Sequence, residues 1–515
     1  MIRIKNFLCL LCVAFIVVSC HDSEQKIPVT RDSFADMTLK KLHVSEEKIR
    51  NNIGNLMFED KDMQAADLQT KKHYQSNGPL LWISRCGVRN DADSVVKYAS
   101  RVKELGFATR RFRVDDIASD IKKVRTLQCG DENINMVFAR LEYNLTKAYL
   151  RYCVGQRFGY TNPRKLFNRL DIHDSDSVHV SYQTLFDVPI KTPNSRFIKQ
   201  ALQQIAQDSA SMFMKASEPE GQLYNTLLEK LHTTRSAAER MRIMVNMERC
   251  RWNVVDKPGK HTKYVLLNIP SQELDAIDGD ERLNMRVVCG SMKTKTPLLN
   301  SYIERIDINP QWIIPKSIVK KSVARHAGNA GYFETRRYFI RERKTGKIVN
   351  PAVATPQMLT SNDYLVIQKG GKGNALGRII FRFKNNFSVY LHDTSNPTLF
   401  SSSDRLASHG CVRVQRPYDL AAFLIGSNDN KLLEKIRYSI SVDMPDGNND
   451  TNNDGEKTEE RVDKSMLVRS AKVSPAVPLY ITYFTLYKSA KGSLLSYPDI
   501  YGYDSVISEA LKRYM

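Results

Sequence analysis

Apolar positions recur with helical spacing in the first half of the chain and with strand spacing in the second. Val95, Val96, Ala99, Val102 and Leu105 fall at three- and four-residue steps, and Gly106 supplies a stop. Between Val137 and Tyr152, the residues Phe138, Leu141, Leu145, Ala148 and Tyr149 form one stripe. The segments Phe197 to Met214 and Tyr224 to Leu231 behave alike. This pattern predicts a helical scaffold over residues 36–250. Near residue 251 the period changes. Tyr264 to Ile269 and Met285 to Val288 are short runs rich in β-branched residues, and Val477 to Leu486 has strand character. Ile379 to Phe383 and Phe387 to Leu391 read as two strands joined by a Lys384-Asn385-Asn386 turn. Pro417 opens a helix carrying Leu420, Phe423 and Leu424. Residues 251–515 therefore read as a mainly β domain, giving an α+β chain. The Asn-, Asp-, Gly- and Glu-rich stretch 446–460 reads as a mobile loop.

The N-terminus changes the picture. Arg3 and Lys5 precede an apolar run of 12 residues, Phe7 to Val18, too short for an ordinary spanning helix. Val17-Val18-Ser19-Cys20 follows, then polar His21, Asp22 and Ser23. This resembles a bacterial lipoprotein signal over 1–19, with Cys20 as the lipidated residue and 20–35 as a tether. Acyl chains there would hold the body at a membrane surface in the cell envelope, on the periplasmic side.

The chain has 515 residues, enough for two or three domains, and a formal net charge of +21. Such a charge attracts an acidic partner: nucleic acid, an anionic membrane or a carboxylate-rich polymer. No long Lys/Arg run, zinc-finger spacing or aromatic-basic pattern accompanies it, which argues against nucleic acid. Of nine Cys, Cys9 and Cys12 lie in the signal. Cys86, Cys129, Cys153, Cys250, Cys289 and Cys411 are scattered without a CxxC pair, so neither a metal nor a cofactor is implied. If Cys411 stays free, the others are odd in number, and most are expected to be buried and reduced. The Gly370 to Gly377 loop lacks the GK[ST] ending, and Leu376 stands where GxGxxG needs its third Gly, so it reads as a turn at a cleft edge. No carboxylate pair marks a glycosidase.

The chemistry concentrates in Tyr390-Leu391-His392-Asp393 and Ser408-His409-Gly410-Cys411-Val412-Arg413-Val414. On strands, Phe387, Val389 and Leu391 face the core while Ser388, Tyr390 and His392 face a cleft. After Gly410, Val412 and Val414 point inward while Cys411 and Arg413 share the other face. A thiolate is the nucleophile, an imidazole can take its proton, and a guanidinium favours the anion or forks a carboxylate. Backbone N–H groups near Gly410 can hold an oxyanion.

The His392 to Ser-His-Gly-Cys spacing, about sixteen positions, resembles the signature of L,D-transpeptidases with a YkuD-type catalytic domain. Arg286-Val287-Val288, Lys295-Thr296-Pro297, Asn309-Pro310-Gln311-Trp312, Asn374 to Arg378, Val477 to Phe484 and Asp499 to Asp504 resemble its large YcbB-like subgroup. Tyr74 through Trp82 and Leu141 to Tyr160 resemble that subgroup's scaffold domain more weakly. The resemblance implies Cys411 as nucleophile and His392 as general base. It implies that the Asp393 backbone carbonyl orients the imidazole, and that Ser408, His409 and Gly410 shape the turn. Tyr390, Arg413 and Asp393 would line the substrate pocket, under a capping subdomain at 312–368. The implied partner is a peptidoglycan stem: a tetrapeptide donor loses D-Ala, and a second stem's amine accepts the acyl group in a 3-3 cross-link. Water as acceptor would make an L,D-carboxypeptidase, and a silent wall-binding lipoprotein is a further alternative. Oligomeric state stays open. Two departures stand out: there is no small helical peptidoglycan-binding module, and Cys289 sits where a strand would carry an aliphatic residue.

Overall fold

The computed structural model describes residues 44–84, 87–126, 128–175, 180–426, 429–442, 462–489 and 492–515. The signal segment 1–19, Cys20, the tether 20–35, Cys86 and the loop 446–460 lie outside the described residues.

The helical half is organised by the helix Ile134–Phe158, which is buried on nearly every side. Asn133 caps its start through its side chain, and Gly159, at φ +92°, ends it where a Cβ would meet Trp252 and Glu248. Helices Glu46–Glu59, Ala65–Gln75 and Val114–Thr126 pack around it. Burial on all faces brings polar groups inside, and these find partners. Glu142 accepts from the Tyr74 hydroxyl at 2.9 Å and the Trp82 amide at 3.0 Å, and burial pushes its carboxyl up to about 7. Arg151 pairs with Asp67 at 2.6 Å, and Lys147 with Asp60 at 2.5 Å. The expected helix Phe197 to Met214 is two, Ser195–Ala206 and Ala210–Ala216, because Asp208 takes φ +50° between them.

One ten-stranded sheet dominates the β half. Its strands are β1 (Phe186–Asp187), β2 (Lys263–Asn268), β3 (Glu273–Asp278), β4 (Glu281–Gly290), β5 (Leu298–Ile308), β6 (Ile379–Phe383), β7 (Leu391–His392), β8 (Leu406–Ser408), β9 (Val412–Val414) and β10 (Ser470–Thr482). They run in the order β6-β7-β9-β4-β3-β2-β10-β5-β1, β8 pairs with β4, and β6 also pairs with β5. That last pairing closes the path on itself, so the sheet forms a barrel-like ring with the Val, Ile and Leu side chains of these strands buried.

Two findings differ from the pattern reading. First, the helical half contributes strands. Ile172–Ser175 and Val180–Tyr182 form a hairpin, and β1 joins β5 of the sheet, Phe186 opposite Leu298. A strand of two residues is too short to leave a periodic signal, so the change at residue 251 does not mark where sheet structure begins. One buried core runs through both halves. Tyr514, near the C-terminus, packs back against Phe107, Phe112 and Tyr160. Second, the expected strand Phe387 to Leu391 is only Leu391–His392. The Asn385 side chain accepts from the amides of Phe387 and Val389, both at 3.0 Å, and Ser388 takes φ +55°. These bonds hold residues 385–389 as a loop instead of a ladder.

Residues 312–368 carry a separate four-stranded sheet with its own small core, built on Ile314, Val319, Phe333, Ile340, Leu359 and Val366. The Gly370 to Gly377 segment ties it back to the ring. Asn374 donates to Pro310 and Lys369 carbonyls and accepts from the Leu376 amide at 2.8 Å. Cys129, Cys153 and Cys289 are buried and free, and Cys250 is half-buried and free. Burial pushes the Cys289 thiol up to about 12, which fits a packing role.

Candidate active site

Strands β7 and β9 run parallel and adjacent, with Leu391 opposite Val412 and His392 opposite Arg413. Alternation then does the rest. Leu391, Val412 and Val414 are fully buried in the ring. Tyr390, His392, Cys411 and Arg413 lie on the other face. The Val412 amide donates to the Tyr390 carbonyl at 3.1 Å, locking Tyr390 beside Cys411. The Tyr390 hydroxyl lies beside the Cys411 sulfur, and its ring stands 5.7 Å from the His392 ring, edge to face. Cys411 Sγ also lies 3.8 Å from the Ser388 carbonyl, which the left-handed Ser388 turns toward it.

The electrostatics are those of a largely buried, cationic site. Burial raises the Cys411 thiol above its ordinary range, against the lowering effect of Tyr390, Arg382 and Arg413. Burial, then Arg413, pushes the His392 imidazole down to about 4. The backbone carbonyls of Asp393 and Leu376 approach the ring and oppose this, but Nδ1 is buried without a well-formed hydrogen bond. The resting pair is thus a neutral thiol and a neutral imidazole. Arg413 Nε is likewise buried and unpartnered. Arg382 lies over the Tyr390 ring, 5.0 Å from its centroid.

The depressed imidazole bears on stability. An unfolded chain protonates this group near 6.5 and the folded chain only near 4. Stability should therefore fall as pH drops from about 6.5 to about 4, by about 3 kcal/mol over that window. Above 6.5 the imidazole is neutral in both states and contributes nothing. Denaturant unfolding of the wild type and of His392→Gln at pH 7.5 and 4.5 checks this, with most of that acid-side loss expected to vanish in the variant.

The turn that carries Cys411 is braced from below. Gly410 takes φ +112°, a conformation that side chains rarely adopt. Ser408 Oγ donates to the Cys411 carbonyl at 2.5 Å and accepts from the Gly410 amide at 3.1 Å. Thr294 Oγ1 donates to the Ser408 carbonyl at 2.8 Å, and Thr296 Oγ1 to the Gly410 carbonyl at 2.9 Å. Thr296 Oγ1 also accepts from the Gly290 amide at 2.9 Å, and the Tyr501 hydroxyl donates to the Gly290 carbonyl at 2.7 Å. Thr296→Val removes the bonds to Gly290 and Gly410 and leaves buried backbone groups unpaired. The expected loss is about 1–3 kcal/mol, read by denaturant midpoint.

The structure brings Tyr390, His392, Ser408, Gly410, Cys411 and Arg413 together. His409 is exposed beside the turn. Asp393 is placed differently from a substrate ligand. Its carboxylate accepts from the amides of Arg378 and Thr394, at 2.8 and 2.7 Å, and so braces the loop that carries His392. Gly377 presses on that carboxylate, where a Cβ would come within 2.4 Å. Thr294, Arg382 and the Leu376 carbonyl were not legible as site groups, since nothing local in sequence links them to Cys411. Trp312, the first residue of the separate small sheet, lies beside the Tyr390 hydroxyl. Among the described residues no cluster of His, Cys, Asp and Glu is arranged to hold a metal ion.

Comparison with known proteins adds to this geometry. Residues 262–427 match the YkuD family, described as the L,D-transpeptidase catalytic domain, and residues 69–231 match a family described as the Scaffold domain. The chain is 25% identical over 324 residues to a putative L,D-transpeptidase of Haemophilus influenzae, covering 62% of this chain and 60% of that protein. A solved structure titled "Structure of the Ldtfm-avibactam carbamoyl enzyme" matches 31% of this chain and 44% of its own, at 12% identity and a TM-score of 0.16.

Proposed function

We propose, from the premise that this chain carries an L,D-transpeptidase catalytic domain joined to a scaffold domain, that it cross-links peptidoglycan stems through a thioester on Cys411. The observation that carries this reading is the convergence of Tyr390, His392, Cys411 and Arg413 on one face of β7 and β9. Arg413 and Arg382 supply positive charge where the sulfur becomes anionic, and the Arg413 guanidinium, whose Nε is unpartnered, can fork a stem carboxylate.

In the first step, Cys411 Sγ attacks the carbonyl carbon of the diamino acid in a tetrapeptide stem. His392 takes the thiol proton as the C–S bond forms, because neither group is ionised at rest. Backbone N–H groups at the Gly410–Cys411 turn hold the oxyanion. The C–N bond then breaks, the proton passes to the leaving amine, and D-Ala departs. In the second step, the side-chain amine of another stem attacks the thioester. Its proton returns through His392 to sulfur, and a 3-3 cross-link is released. A lipid on Cys20 would hold the enzyme at the membrane of the cell envelope, within reach of the wall.

The test is product analysis with the purified enzyme and a disaccharide-tetrapeptide. The expected result is D-Ala release matched by a cross-linked dimer. D-Ala release without dimer would make it a carboxypeptidase, and no release would make it a silent binding protein.

A further inference from the structure

A cavity of about 620 Å³ adjoins the turn before Cys411 from the side of the helical half. One wall belongs to the scaffold side, with His173 and Tyr182 of the hairpin and Asp187 of β1. The other belongs to the catalytic side, with Lys293, Phe387 and His409. Gly410 also lines it and puts no side chain between the cavity and Cys411. The segment Phe387 to Tyr390 separates this space from the small sheet. Phe387 and Val389 face the cavity, whereas Tyr390 meets Trp312 and Cys411.

The scaffold wall is fixed in place. Lys295, only 6% exposed, pairs with Asp171 at the base of the hairpin at 2.7 Å. The Gln183 amide closes on the Asp171 carbonyl at 2.8 Å, and the Leu298 amide on the Leu185 carbonyl at 2.9 Å. The cavity presents charges of both signs. Lys295 is compensated by Asp171, whereas Asp187 accepts a hydrogen bond from the neutral Asn386 amide at 3.1 Å. Lys293 is exposed, with His173 and His409 beside it. Such a wall offers Lys293 to a carboxylate and Asp187 to an ammonium group. A cavity of a few hundred Å³ suits part of a short peptide.

We propose that this cavity is the acceptor site and that the scaffold hairpin forms its outer wall. It holds the carboxylate-rich, amine-bearing stem that attacks the thioester, while the donor enters from the side of Trp312 and Tyr390. The inference rests on Cys411 being the acylated residue. In the step it serves, the amine nitrogen bonds to the acyl carbon, the C–S bond breaks, and the amine proton ends on sulfur.

The experiment separates the two substrates. A disaccharide-tetrapeptide with its side-chain amine acetylated can only donate, and a free-amine disaccharide-tripeptide can only accept. In the full chain, Lys293→Glu and Tyr182→Ala should each raise the tripeptide KM about tenfold, with D-Ala release from the blocked donor kept within about twofold. Lys293→Arg should restore most of the KM. An unchanged tripeptide KM, or donor and acceptor steps falling in parallel, overturns the acceptor site. Should the wild type release no D-Ala, the Cys411 reading fails instead. Calorimetric titration of the tripeptide then decides the cavity, with binding weakened in Lys293→Glu supporting it and unchanged binding overturning it.

Discussion

Cys411→Ala should lower D-Ala release and dimer formation by a factor on the order of 10⁴ or more, down to background. The size of the effect follows from what the sulfur supplies. It is a thiol held beside Tyr390 and Arg413 on the cleft face, and Ala offers no atom that can carry the acyl group. The fold should survive. Ala fills less space than Cys, and Gly410 and Ser408 keep their backbone bonds to Thr296 and Thr294. Unfolding midpoint and circular dichroism should therefore match the wild type within about 1 kcal/mol. Product formation at the wild-type rate would remove Cys411 from the chemistry.

His392→Ala should reduce the acylation rate by about 10²–10⁴-fold. With the thiol raised by burial, little thiolate exists at neutral pH, so attack depends on a base that is neutral there. An imidazole held near 4 meets that need across the whole neutral range. The wild-type acylation rate should thus lose its base only as pH falls toward 4, where His392 becomes protonated. In His392→Ala that acid limb should disappear. The residual rate should instead climb about tenfold per pH unit with thiolate concentration, well past neutral pH. Single-turnover acylation measured across pH distinguishes the two profiles. A variant that keeps the wild-type profile would show that the proton goes elsewhere.

Much of this was legible in the amino-acid pattern because it depends on local periodicity. Val412 and Val414 go inward and Cys411 and Arg413 outward for the reason any alternating strand does so. The stripe Phe138, Leu141, Leu145 and Ala148 lies on the helix that the whole scaffold surrounds. What escaped the pattern depends on long-range closure. β1 is two residues long and is recognisable only by its pairing with Leu298. Thr294 and Thr296 reach the turn before Cys411 from more than a hundred residues away, through single hydroxyls. Asp393 reads as a pocket residue beside His392, yet its carboxylate closes on the amides of Arg378 and Thr394. The alternation read into residues 387–390 gave the correct neighbours for Tyr390 although the segment is a loop. Val412 fixes the Tyr390 carbonyl through one backbone bond, whatever the path of the chain before it.

The central claim is a covalent one, so mass is its most direct measure. The enzyme is mixed with amine-blocked disaccharide-tetrapeptide, quenched in acid, and weighed intact, with the adduct then mapped by peptide fragmentation. One acyl group per chain is expected, equal to the donor less D-Ala, carried on Cys411 and absent from Cys411→Ala. An adduct on Cys250 or another residue, or D-Ala release with no adduct at Cys411 at any quench time, would contradict it.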